Sequence, residues 1–350
     1  MSTTTLDVGH RRLFLRCGPV VVPVRGRSVL VGTIAVAVLA VLTVLTLGLG
    51  TYALTPAEVV RVLLGGGGAL DRTVVYEWRL PRAMAAIILG GLLAIAGALF
   101  QTVTRNPLAS PDVLGLSNGA FTGMLITVVV FTASWPVMTL GAVAGGAAAA
   151  AAIWFLARTG GVQGFRLIIV GIGISAMLAS LNTWMLLQIE LETAMFASAW
   201  GAGSLNGVTA GPVLGAVLCA LPLLLVLGAM APALQQIDLG DDMATASGAR
   251  PDRVRTLALL LGVALVSIAT AVVGPIAFVA LAAPQIARRI ARTPHLSPTL
   301  SALFGAVLLL GSDMIAQHVL PVALPAGVVT VSVGGIYLVV TIIQEIRRRA

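Results

Sequence analysis

AMAAIILGGLLAIAGALFQTV, residues 83–103, carries no charged side chain in 21 consecutive positions. A helix of that length runs about 30 Å, the hydrocarbon thickness of a bilayer. The stretch therefore reads as a membrane-crossing helix. Its Gly and Ala residues let helix backbones approach closely where lipid supplies no hydrophobic drive, although a GC-rich genome would also enrich Ala, Gly and Arg. Nine further apolar runs flank it, at 28–50, 113–132, 136–157, 167–187, 209–231, 255–273, 275–291, 299–318 and 326–345. The run at 275–291 is short and interrupted by Pro284. The expected fold is an all-α polytopic membrane protein with about ten transmembrane helices.

Composition points the same way. Of 350 residues, 58% are hydrophobic and 10% charged, with a mean hydropathy of +1.04. Soluble chains average roughly 25% charged residues, and a water-facing surface cannot be built from so few. All 21 basic residues are Arg, against 13 acids, for a formal charge of +8. With no Lys, the chain has neither a P-loop nor a Schiff-base residue, so any ATP it depends on binds another chain. Cys17 and Cys219 make no disulfide framework or zinc site. Cys17 has no apolar run before it, which argues against a lipoprotein signal. His10, His295 and His318 are scattered. No catalytic, cofactor or metal residue and no nucleic-acid partner is expected.

Arginine placement sets orientation. With the N-terminus in the cytoplasm, 17 Arg lie inside and four outside, at Arg61, Arg72, Arg79 and Arg82. The reading gives a basic cytoplasmic segment at 1–27, a membrane domain at 28–346 and a basic cytoplasmic tail at 347–350. RNPLASP (105–111) and RTPHLSP (292–298) share R-x-P-x-x-S-P, an internal echo that fits either duplicated halves or two converged turns.

Three places could carry function. Arg79 and Arg82 stand three apart at a helix start opened by Pro81, so they lie near one face. They suit either lipid head groups or a socket for the acids of an outer partner, with Tyr76 and Trp78 as an interfacial belt. In QQIDLGDDMATASGARPDRVR (235–255), Asp241 and Asp242 suit a helix's first turn, Gly248 its end and Pro251 the start of the next. That pattern makes a compact cytoplasmic knob or an ordinary solvated loop. Asp313 is the acid deep in a span. The structural reading, a bond to Ser312, Gln317 or a backbone amide near the outer end, is preferred over a proton site. Glu190 and Glu192 look water-exposed.

These motifs fall in a familiar order. RLPR (79–82), GALFQTVTRNPLASPDVLGLSNGA (97–120), LGDDMATASGARPDRVR (239–255), GPIAFVALAAPQIAR (274–288), GSDMIAQ (311–317) and LPAGVVT (324–330) together resemble the FecCD family of ABC importer permeases, from the first span to the C-terminus. The family often has Gly at Ala277 and Ala280, His at Gln285 and Arg at Gln317, so docking here would rely more on Arg79 and Arg82. The resemblance implies a type II importer fold and a second permease subunit, identical or not. It also implies a cytoplasmic ATPase dimer and an extracytoplasmic substrate-binding protein, all at the bacterial plasma membrane. Leu239, Gly240, Asp241, Asp242, Ala246, Gly248 and Pro251 would couple to the ATPase. Ser117, Ser175, Asn182, Thr183, Thr330 and Ser332 would either line the path or pack helices. The implied cargo is an iron(III)–siderophore complex, with haem or cobalamin as alternatives. An ion-coupled carrier or a membrane-embedded enzyme finds little support in the residues.

Overall fold

The computed structural model describes residues 6–7, 11–17, 20–112, 114–131, 135–157 and 164–349. Arg158, His10, parts of the 1–27 segment and the final tail residue lie outside the described residues. Ahead of the first span, β1 (Leu6–Asp7), β2 (Arg11–Cys17) and β3 (Val20–Arg25) pair as a small antiparallel sheet in the order β1-β2-β3. This short sheet lies ahead of the membrane domain, which is all-helical as expected.

Everything after it is helical. α1 (Gly26–Gly48) is followed by α2 (Pro56–Leu63) and α3 (Ala69–Arg72), which runs through a π-helical stretch (Thr73–Arg79) into α4 (Leu80–Thr104). Then come α5 (Leu116–Val130), α6 (Trp135–Ala157), α7 (Gly164–Gln188), α8 (Leu191–Gly201) and α9 (Ala210–Asp238). The chain closes with α10 (Asp241–Ala246), α11 (Pro251–Val273), α12 (Val279–Ala291), α13 (Pro298–His318) and α14 (Ala326–Arg349).

Among the described residues, seven helices are long and apolar enough to cross a membrane: α1, the composite α3–α4, α6, α7, α9, α11 and α13. Three expected spans are shorter. The run at 113–132 becomes α5 only after Gly115, whose φ of +85° blocks an earlier helix start. The run at 275–291 does not break at Pro284, which sits inside α12. It breaks at Gly274–Phe278, where Phe278 adopts a left-handed φ of +68°. The remaining 13 residues of α12 span about 20 Å, too short to cross alone. The last apolar stretch covers Ala326–Thr341.

α4 is the axle. Of its most apolar stretch 83% is buried, against 17% for α7, so α4 meets protein where α7 leaves most of its surface open. Small residues permit this. A Cβ added at Gly90 would sit 2.5 Å from the carbonyl oxygen of Gly305, and one at Gly97 would overlap the carbonyl of Ala280. The glycines of 83–103 thus let α13 and α12 press against α4 backbone to backbone.

The bundle has two distinct ends. One gathers the start of α1, the ends of α4, α9 and α12, and all of α10. There the Arg27 side chain donates to Ile290 O at 2.9 Å, and His295 meets Asp238 at 3.1 Å. The other gathers α2, α3 and the end of α13. Both halves of the R-x-P-x-x-S-P echo lie at the α10 end and fold alike. Arg105 (φ +51°) and Arg292 (φ +49°) each cap their helix in the left-handed region. The copies then diverge. Ser297 caps α13 at once by accepting from Leu300 N–H, whereas the first copy delays its helix to Leu116.

Candidate functional site

At the α10 end the local chemistry of 235–255 folds as its residues dictate. Gly240, at φ +112°, lets the chain turn sharply out of α9. Asp241 and Asp242 occupy the first turn of α10, where the helix dipole favours anions. Gly248, at φ +86°, ends it: Gly248 N–H donates to Thr245 O at 3.0 Å and Ala249 N–H to Ala244 O at 2.9 Å. That paired pattern is a Schellman cap, which a side chain at position 248 would strain. Pro251 then occupies the first turn of α11, where no N–H is needed. Leu239 is 63% exposed, an apolar tip on this knob, while Ala246 sits in α10's last turn.

Two arginines brace the knob. Asp241 Oδ1 accepts from Arg255 at 2.5 Å and from Arg105 at 2.6 Å, and Arg105 also donates to Ile237 O at 3.0 Å. The hydrogen bond from Arg255, helped by both positive charges, holds the Asp241 carboxyl below its ordinary range. Because Arg105 opens the turn after α4, this carboxylate ties the knob to the central helix. The sequence placed Asp241 at a helix start but gave no sign of the partners 136 and 14 residues away.

At the opposite end, the bond partners expected for Asp313 need correcting. Asp313 is 1% exposed and accepts two hydrogen bonds from Arg82, from Nε and from Nη2, each 2.7 Å long. This bidentate fork is the strong form of the Arg–carboxylate pair. Gln317 instead donates to Leu324 O at 3.0 Å. Arg79 donates to Leu47 O at 2.7 Å and Gly48 O at 3.3 Å, a cation set on the C-terminal carbonyls of α1, and to Tyr52 O in the loop beyond at 2.6 Å. Both arginines also line a cavity of about 250 Å³, shared with Tyr52, Trp78, Gln317 and His318. With Asp313 neutralising Arg82, its net charge is close to one positive unit rather than two. The rim is fixed by α2 and α3. Thr55 and Glu58 cap α2 reciprocally, and Tyr52 OH donates to Asp71 Oδ1 at 2.7 Å. That bond lowers the Asp71 carboxyl and raises the Tyr52 phenol.

The small polar residues of the spans divide into two sets. Ser117 donates to Asp112 at 2.8 Å, and Ser175 Oγ accepts from Asn118 at 2.8 Å. Asn182, 3% exposed, accepts from Thr122 at 2.6 Å, and Thr330, 4% exposed, donates to Gly327 O. These four are engaged inside the chain, and Asn182 and Thr330 present almost no surface. Thr183 and Ser332 are exposed, each hydroxyl turned back onto the carbonyl four residues earlier. Among the described residues no three His, Cys, Asp or Glu side chains cluster as a metal site. Asp112 is the ionisable residue that the sequence reading passed over. Its Oδ1 accepts from the Ser117 hydroxyl at 2.8 Å. Oδ2 is buried with no hydrogen-bond partner among the described residues.

Comparison with known proteins finds relatives along most of the chain. The chain is 44% identical over 301 residues to the ferric enterobactin transport system permease protein FepG of Escherichia coli (strain K12), covering 86% of this chain and 91% of that one. It is 36% identical over 323 residues to the achromobactin transport system permease protein CbrC of Dickeya dadantii (strain 3937), covering 90% and 92%. The structure of a metal-chelate type ABC transporter in an inward-facing conformation superposes with a TM-score of 0.78 at 22% identity. It covers 90% of this chain and 99% of that one, a likeness of fold. The relatives are permease subunits of transport systems, and the apolar helices make this chain a multi-pass membrane protein. The model of the FecCD transport family matches residues 38–344, and the chain belongs to that family.

Proposed function

We propose that the chain is the membrane-spanning permease subunit of an ATP-driven importer that carries an iron(III)–siderophore complex across the bacterial plasma membrane. The observation that carries this reading is the braced knob at 239–251. An exposed short helix, stopped by a left-handed glycine and tied by Asp241 to the end of the central α4, is built to receive force from outside the bilayer. Its end of the bundle is rich in Arg, so it is the cytoplasmic end and both termini lie there. α5, α12 and α14 complete ten crossings with the seven long helices, the short α12 and the loop before it being sheathed by protein.

On this reading Leu239, Gly240, Asp241, Asp242, Ala246, Gly248 and Pro251 seat in a cytoplasmic ATPase dimer. The cavity beneath Arg79 and Arg82 receives an acidic side chain of an extracytoplasmic substrate-binding protein. A second permease subunit, identical or not, completes the path, with Thr183 and Ser332 on surfaces left open in this chain. ATP hydrolysis resides in the separate ATPase. The substrate class rests on the ferric enterobactin and achromobactin systems of the relatives. The test is uptake into proteoliposomes holding the permeases and ATPase, with binding protein outside and ATP inside, using iron-55-loaded enterobactin, haem and cobalamin in parallel. ATP-dependent entry of the iron chelate alone supports the proposal. Entry of haem or cobalamin alone reassigns the cargo, and entry driven by a proton gradient without ATP overturns the importer reading.

A further inference from the structure

We propose that the cleft between α1, α9 and the α12–α13 turn holds an anionic phospholipid of the cytoplasmic leaflet. The inference goes beyond the transport role and borrows from it only that the α10 end faces the cytoplasm.

The cleft follows from how the helices pack. α9 and α13 both lie against α4, α1 lies against α13, and a space of about 820 Å³ remains between them. That is the size of a small-molecule site. Its lining is sorted by depth. Arg25, Ser28, Gln235, Thr293 and His295 gather at the α10 end, where α1 begins, α9 ends and the α12–α13 turn passes. Further into the bundle the walls are apolar, with Ile95, Leu224 and Leu227. Leu224 stands 14 residues before the end of α9 at Asp238, about 21 Å along a helix. One leaflet contributes about 15 Å of hydrocarbon. The cleft is therefore polar at the water's edge and apolar through the depth of a leaflet, the profile of a lipid molecule. The helices beside it turn apolar side chains outward: Leu30 is 61% and Leu225 68% exposed.

Charge selects the class of lipid. Arg25 makes only a long bond, 3.5 Å, to Arg292 O, and Arg27 spends its Nε on Ile290 O. Both meet carbonyls rather than carboxylates. Among the described residues no acid pairs with Arg25, Arg27 or Arg292, while Asp238 at the end of α9 is taken by His295. Thr293 Oγ1 is buried with no hydrogen-bond partner among the described residues, a donor left over at the mouth. A basic mouth between helices at the cytoplasmic face suits an anionic headgroup. A zwitterionic lipid carries its own cation and gains less. The phosphate meets Arg25 and the Thr293 hydroxyl, and one acyl chain runs along Leu227 and Leu224. Gly228 lines that course, and a Cβ added there would meet nothing within 4 Å, so glycine leaves the wall hollow where the chain lies.

The experiment is native mass spectrometry of the purified transport complex, stripped of lipid in detergent. It is titrated with phosphatidylglycerol or phosphatidylcholine of identical acyl chains. The wild type should bind phosphatidylglycerol more tightly. One arginine at a membrane surface is worth about fivefold for an anionic lipid, so Arg25→Gln should weaken phosphatidylglycerol by about that factor and leave phosphatidylcholine unchanged. Gly228→Leu, which clashes with nothing, should weaken both lipids by filling the chain's place. Gly215→Leu, equally open on the same helix but outside the cleft, should weaken neither. sn-Glycerol 3-phosphate, the headgroup without chains, should not compete. Wild-type affinity in Gly228→Leu overturns the inference, and competition by sn-glycerol 3-phosphate makes this a free-phosphate site and overturns the lipid assignment. Uptake is read in the same preparations. Equal binding of the two lipids alongside ATP-dependent uptake overturns this inference alone. Selective binding with uptake driven by a proton gradient without ATP overturns the importer reading and supports the lipid site.

Discussion

Replacing Arg82 by Met removes the guanidinium and keeps most of the stem's apolar volume. Asp313 is then left 1% exposed with both oxygens stripped of their donors. Breaking a buried pair by deleting one partner costs about 3–5 kcal/mol, because the survivor's charge is uncompensated. Arg82 itself is 21% exposed, so water reaches part of the site and the lower figure, about 3 kcal/mol, is expected. Asp313→Asn should cost less, about 1–2 kcal/mol, since one acceptor remains and the freed guanidinium can turn toward the cavity and water. The double variant Arg82→Met with Asp313→Leu leaves no buried charge, and apolar replacement of a buried pair is often close to neutral. It should therefore be more stable than Arg82→Met alone. Equilibrium unfolding in mixed micelles, titrated with SDS, reads all four proteins on one scale. The reasoning is refuted if Arg82→Met matches the wild type, or if the double variant loses the sum of the two single losses. Either result would show that the pair is a surface contact of little energy. Asp313→Asn should also leave uptake dependent on ATP and indifferent to a proton gradient, because its carboxylate is committed to Arg82.

The remaining expectations use the two ends of the bundle. Arg79→Gln should slow binding-protein association and flatten its salt dependence more than Arg82→Gln does, since Asp313 already neutralises Arg82; equal effects in surface-plasmon traces at two ionic strengths would contradict the cavity's charge balance. Gly248→Val meets open space, with nothing within 4 Å of the added Cβ, so its cost is purely that of a left-handed backbone, roughly 1–2 kcal/mol. Uptake and stimulated ATPase should fall while binding-protein docking survives, and normal stimulation with normal uptake would make the knob a plain connector. Asp241, its carboxyl lowered chiefly by Arg255, contributes stability that is complete above the ordinary carboxylate range near pH 4 and is lost as pH falls through its depressed value. Exchange protection at 239–249 should therefore weaken on acidification in the wild type and not in Asp241→Asn.

The parts of this fold legible in the sequence are those written in local chemistry. The run at 83–103 is a helix because nothing in it tolerates another state in lipid, and Gly240, Gly248 and Pro251 mark the knob because backbone angle and a missing N–H are properties of single residues. The length of α12 was not legible. A five-residue stretch, Gly-Pro-Ile-Ala-Phe, is apolar enough to pass as helix, and only the left-handed Phe278 and its packing against α14 reveal the break. The Arg82–Asp313 pair was equally hidden, for it joins positions 231 apart and follows from how α4 and α13 cross at Gly90 and Gly305. Asp112 escaped notice because it sits in what reads as an ordinary turn. The N-terminal sheet had no apolar periodicity strong enough to announce it.

α4 has two histories that its sequence must satisfy at once. As the second long hydrophobic segment to be made, it enters the bilayer while α9, α11, α12 and α13 are still unsynthesised, and during that interval lipid is its solvent. The hydrophobicity of its most apolar stretch belongs to that waiting period, since in the finished protein most of that stretch is buried against the rest of the chain. Gly90 and Gly97 belong to the later moment: each leaves room for a neighbour that does not yet exist when the helix is inserted. A substitution such as Gly97→Leu would make α4 more hydrophobic and so no harder to insert, yet it would bar α12 from its seat. Variants of this helix should therefore accumulate in the membrane at normal levels and fail afterwards, as inserted chains that never close around their own centre.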